Sequence, residues 1–225
     1  MKNSTTIRLF LVTLLVVFFT SCKKNSDRDL TTVKKNETID LSKTPFDSVL
    51  VSSFFAKYPN LQKYQPDVTK LYRKYDFHFL WYDKNGVNEF AHVLHNKIIN
   101  LSEEGIESTI PYKTELDQIY ENTKESKTPN VSSELLTTSL YFFYIDKVYH
   151  GLETAKSDEM EWFLPREKQS YTAYTDSLII DPSLIKKDKK TLFSQYYLLK
   201  DQLKKYRQIE KKGGWDSIKM PAEFK

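Results

Sequence analysis

The sequence predicts an all-α domain, and three observations carry that expectation. Apolar residues recur every three or four positions in several separate stretches, the spacing of an amphipathic helix. The most apolar stretch beyond the N-terminal leader, Ser132 to Tyr149, holds Leu135, Leu136, Leu140, Tyr141, Phe142, Phe143, Ile145 and Val148. Apolar on nearly all sides, it predicts a helix buried on most of its surface. The one run with some alternation, Phe77 to Tyr82, has no second convincing strand nearby with which to pair.

The chain opens with Lys2 and Arg8, an apolar run from Leu9 to Phe19, and the small residues Thr20 and Ser21. This is the pattern of a secretory signal peptide over residues 1–21, and the run is shorter than the roughly 20 residues of a membrane-spanning helix. Phe19-Thr20-Ser21-Cys22 resembles a bacterial lipobox, whose cysteine is acylated on sulfur and becomes the new N-terminus. Cys22, the only cysteine, is therefore the candidate lipid attachment site. An ordinary signal peptide with an incidental cysteine is the alternative. More than one acyl chain gives stable anchoring, so the expected location is the cell envelope, on a membrane and facing the periplasm. Residues 22–43, rich in Lys, Asn, Ser, Asp and Thr, read as a flexible tether.

The domain is expected over residues 44–225. Thr44-Pro45-Phe46-Asp47 supplies an N-cap, a first-turn proline and an acid for a first helix. Val49, Leu50, Phe54 and Phe55 form its stripe, and Tyr58-Pro59 stops it. A second helix starts at Pro66 with Val68, Leu71, Tyr72 and Tyr75. Phe77 to Tyr82 reads as an extended connector packed into a helical core and ended by an Asn85-Gly86 turn. A third helix runs from Val87 to Glu103, with Phe90, Val93, Leu94, Ile98 and Leu101 inward and Gly105 as its stop. Pro111 starts a fourth through Leu116, Ile119 and Tyr120, and Asn122 to Asn130 is a loop. The central helix follows and ends at Gly151. Leu152 to Lys190 is less regular, with a helix over Ser170 to Ile180 broken at Asp181-Pro182. In the last helix Leu192, Tyr196, Leu199, Leu203 and Tyr206 recur, lysines fill the outer face, and Gly213-Gly214-Trp215 ends it.

Composition excludes some partners. Removing residues 1–21 takes Lys2 and Arg8 from 34 basic side chains and nothing from 30 acids, leaving a near-neutral chain. No strong basic field exists to release counterions, so no nucleic-acid partner is expected. The 32 aromatic residues, 15 of them Tyr, favour a true core.

Several pieces in order resemble the scaffold domain of large bacterial L,D-transpeptidases, enzymes that cross-link peptidoglycan. They are Leu71-Tyr72-Arg73 leading into Leu80-Trp81-Tyr82, the helix end Glu104-Gly105-Ile106, and Leu136 to Tyr141 through His150-Gly151, with Trp162 beyond. The tail runs from Tyr197 to Arg207 and then Lys211-Lys212-Gly213-Gly214-Trp215. The resemblance implies a helical scaffold that supports cell-wall binding or assembly, with peptidoglycan or cell-wall enzymes as partners. The family's catalysis uses a His-Gly-Cys thiolate; here His150-Gly151 is followed by Leu152, and acylation would consume the sulfur of Cys22. No catalytic residue and no cofactor are therefore expected. Two alternatives stay open: the front part of a full L,D-transpeptidase, or a helical envelope-binding lipoprotein with no peptidoglycan role.

Other chemistry is weaker. Glu89, His92 and His95 lie at three-residue steps, a geometry that can approach a metal, but they also read as a polar outer face, and no metal site is expected. Glu103-Glu104 and Asp158-Glu159 are adjacent acids, which are more often solvated than paired across a cleft. Among Trp81, Trp162 and Trp215, the first two read as core, and Trp215 is the candidate ligand-binding residue.

Overall fold

The computed structural model describes residues 43, 45–121, 127–152, 154–161, 169–185 and 192–216, which all lie in one compact unit, Lys35–Lys225. The fold is mainly helical, as predicted. It opens with extended chain: Pro45 bridges His78, and the Phe46 amide donates to the Phe77 carbonyl at 2.9 Å. Phe46 is buried edge-on against Tyr72, Phe77 and Phe79. The first helix, α1 (Val49–Lys57), therefore begins later than Pro45, with Asp47 Oδ1 accepting from the Val49 amide. The later start turns Val51, Phe54 and Phe55 inward and leaves Val49 and Leu50 exposed, a correction to the predicted stripe. Thr44 lies outside the described residues.

A 3₁₀ segment (Pro59–Tyr64) leads into α2 (Gln65–Lys74), which buries Val68, Leu71 and Tyr72 as predicted. Phe79 to Tyr82 is the buried connector. It does find a strand partner: β1 (Tyr82–Asp83) pairs antiparallel with β2 (Gly86–Val87), Tyr82 opposite Val87. The Asn-Gly turn creates that partner locally, with the Asn85 amide on Asp83 Oδ1 at 2.6 Å and Gly86 at φ +117°. Val87 thus belongs to the hairpin, and α3 (Glu89–Ile99) starts after Asn88, whose side chain accepts from Ala91 N–H and donates to the Leu80 carbonyl. α3 buries Phe90, Leu94 and Ile98; a 3₁₀ turn (Leu101–Glu104) and Gly105 at φ +76° finish it.

α4 (Lys113–Glu121) buries Leu116 and Ile119. The helix predicted to be central is α5 (Val131–Ile145), capped by Asn130 and buried at every residue from Glu134 to Ile145. α1, α2, α3, α4 and the Pro59–Tyr64 segment all contact it. A π-turn (Asp146–His150) extends it to Gly151, at φ +69°. A short exposed α6 (Thr154–Glu159) lies in the stretch read as irregular. α7 (Tyr171–Ile180) starts at the Ser170 cap, ends at Asp181, continues into a 3₁₀ turn (Pro182–Ile185) and packs on α2. The last helix, α8 (Ser194–Lys211), contains no buried residue. Leu199 and Tyr206, predicted inward, are 69% and 55% exposed.

Candidate functional site

Among the described residues, polar clusters fasten the helices, and three of them bear on the site. The first lies wholly inside. Glu134, one turn into α5, has no solvent exposure. Its Oε1 accepts from Tyr72 Oη at 2.7 Å and from the Leu80 amide at 2.6 Å, and its Oε2 accepts from the Trp81 amide at 3.2 Å. One turn on, Thr138 Oγ1 accepts from Trp81 Nε1–H at 2.7 Å and shares a hydrogen bond with Tyr72 Oη. Burial pushes the Glu134 carboxyl up to about 8, against the pull of these donors. The cluster satisfies the buried polar groups of the connector. It is frame rather than surface, and Trp81 is a core residue as expected.

The second cluster closes the far end of α5. Asp146 accepts from Lys63 Nζ, from Tyr64 Oη at 3.1 Å, from Tyr171 Oη at 2.6 Å and from His150 Nδ1–H at 3.2 Å. Burial raises its carboxyl, but the Lys63 and Tyr171 hydrogen bonds outweigh that and hold it near 2. His150 Nε2 lies 2.8 Å from the Gln169 carbonyl, so both ring nitrogens are engaged in fastening the π-turn to its neighbours. His150 thus ties the helix end at Gly151 to both Asp146 and the Gln169 carbonyl.

The third cluster docks α8. Glu104 accepts from Tyr144 Oη at 3.2 Å, Tyr196 Oη at 2.5 Å and Lys200 Nζ. Burial opposes ionisation, yet the Lys200 and Tyr196 hydrogen bonds hold the carboxyl below its ordinary range. Arg207 donates to the Ser102 carbonyl at 2.6 Å, and a β-carbon on Gly105 would stand 3.3 Å from Leu203 Cδ2. Tyr196, Lys200, Leu203 and Arg207 therefore form the docked face of α8. Glu104, read from sequence as a solvated acid, is its anchor; no local pattern marks it, because its three partners lie 40 or more residues away.

Beyond this helix the chain folds back. Lys212 and Gly214 amides both donate to the Ile209 carbonyl at 3.0 Å, and Gly213 N–H reaches the Glu210 carbonyl. Gly213 and Gly214 take φ of +105° and +80°, conformations that side chains disfavour. The reversal sets the Trp215 ring 5.7 Å from Tyr206, tilted by 53°. Trp215 is 69% exposed, so the pair offers two aromatic rings to solvent, suited to stacking on a sugar face or a flat apolar group.

Cys22 and Trp162 lie outside the described residues. The structure does not assemble the Glu89, His92 and His95 triplet: Glu89 is exposed, and His95 turns inward to stack on Tyr120 at 4.2 Å with Nε2 3.0 Å from Asp117 Oδ1. His95 is thus buried rather than part of a polar outer face. Among the described residues no group of three potential ligands is placed to hold a metal.

No curated protein and no solved structure matches the chain. A family model described as Scaffold domain matches residues 66–203. The matched span contains the connector, the central helix and most of α8, and it agrees with the resemblance to the L,D-transpeptidase scaffold. More than half of the chain is covered, and the protein belongs to the Scaffold domain family.

Proposed function

We propose that the protein is a non-catalytic envelope lipoprotein that uses its scaffold domain to hold peptidoglycan strands or cell-wall enzymes in place. The Scaffold domain match over residues 66–203 carries this reading. Two features support it. The only cysteine is Cys22, at the junction between an apolar leader and a polar stretch, where lipid attachment would leave no thiol for nucleophilic chemistry. The exposed Tyr206–Trp215 pair offers a stacking surface at the end of the last helix.

Retention on purified sacculi tests the wall role. The native protein is expected to co-sediment with sacculi, a heat-denatured control is not, and Trp215→Ala is expected to lower retention about tenfold, the loss of one stacked ring. Equal behaviour of native and denatured protein would remove the wall role. Cys22→Ser is expected to move the protein out of the membrane fraction, with loss of labelled acyl chain.

A further inference from the structure

We propose that the outward face of α8 pairs antiparallel with the same face of a second copy of this chain. Tyr196, Lys200, Leu203 and Arg207 hold one side of the helix against the Leu101–Glu104 turn. A second side, about a third of a turn round the helix, carries Leu198, Leu199, Gln202, Tyr206 and Ile209, spaced at one, four, eight and eleven residues from the first. Leu198 is 63% exposed, and Leu199 and Tyr206 are open as described above. A helix with one docked face and a second apolar face spanning about 16 Å has unfinished packing.

The charges beside that face say what completes it. Asp201 and Lys205, both exposed, lie one turn apart along one edge of the stripe, and neither joins an ion pair among the described residues. In an antiparallel pair related by a two-fold axis, each edge meets its own copy. With the axis level with Leu203, Asp201 faces Lys205 of the second copy and Lys205 faces its Asp201. The same register lays Leu198 and Leu199 beside Tyr206 and Ile209 of the second copy, with the two Gln202 side chains near the axis. A parallel pair would instead bring the Asp201–Lys205 edge against the edge of Leu199, Tyr206 and Glu210, where Asp201 meets no cation. The face is thus complementary to itself in one orientation. The pairing shares Tyr206 with the aromatic pair that Trp215 completes, but it does not rest on the wall-binding role, since Leu198, Leu199 and the Asp201–Lys205 edge carry it.

Sedimentation velocity on the full chain in non-ionic detergent tests the proposal across a dilution series. The expected result is a protein of twice the protomer mass that Leu199→Asp reduces to a monomer. Asp201→Lys and Lys205→Asp each set like charges across the axis twice and are expected to weaken pairing roughly tenfold. The double variant Asp201→Lys/Lys205→Asp swaps the charges and is expected to restore it. The proposal is overturned by a wild-type monomer at all concentrations, by a dimer that survives Leu199→Asp, or by failure of the double variant to recover. A wild-type monomer that instead binds phosphatidylglycerol vesicles would assign the face to a bilayer and overturn it equally. Loss of pairing with sacculus retention intact separates this proposal from the wall role.

Discussion

Glu134 shows how much a single residue can carry in this chain. It sits at the start of the most apolar helix, and only the tertiary fold supplies its partners, the Tyr72 hydroxyl and the Leu80 and Trp81 amides. Its carboxyl is raised from an ordinary value of 4.5 to about 8, so the folded state holds a proton that the unfolded chain releases. Stability is therefore fully present below about 4.5 and falls as pH rises through about 8. Asp146 works in the opposite sense: its value is lowered from 3.8 to about 2, and its contribution is lost as pH falls toward 2. Thermal unfolding followed from about pH 5 to about pH 8 should show a falling midpoint for the wild type. Glu134→Gln should flatten that slope while lowering stability by about 1–3 kcal/mol at the acid end, where its amide confronts the Trp81 N–H. A flat wild-type profile would contradict the buried-proton account. Nothing in the sequence near position 134 announces this role, since an acid in the first turn of a helix is equally at home in solvent.

At the scale of elements, the apolar periodicities located most helices, while the ends were set by side chains that capture amides. Asp47, Asn88, Asn130 and Ser170 each accept from a backbone N–H at a helix start. α8 is the instructive departure. Its heptad-like leucines and tyrosines read as one inward stripe, but the docked face is largely polar and is anchored by Glu104. That anchor makes a local prediction. Glu104→Gln removes the charge from the Lys200 contact and should raise amide exchange along α8 about tenfold, while the midpoint of global unfolding moves little. Equal loss of protection in α5 would mean that the two helices unfold as one unit.

At the scale of the whole molecule, α5 is the post on which the rest is hung, ringed by Tyr64, Tyr171 and the other aromatics that meet Phe142 and Tyr144. Phe142 is fully buried, and Phe142→Ala should cost about 3–5 kcal/mol, measured by urea unfolding, by leaving a cavity at the centre. A cost below about 1 kcal/mol would mean that the surrounding rings collapse into the space. The sequence by itself determined the helical class, the central helix and the buried connector, because these follow from short-range periodicity and from composition; the likeness to a scaffold domain rests instead on the resemblance of its short motifs, in order, to that family. Only the tertiary structure decided that Tyr82 pairs with Val87, that Glu134 and Glu104 are anchors, that His95 turns inward, and that α8 leaves an apolar face open. Those outcomes depend on groups separated by many residues meeting in space, where burial changes what a charge or a ring costs.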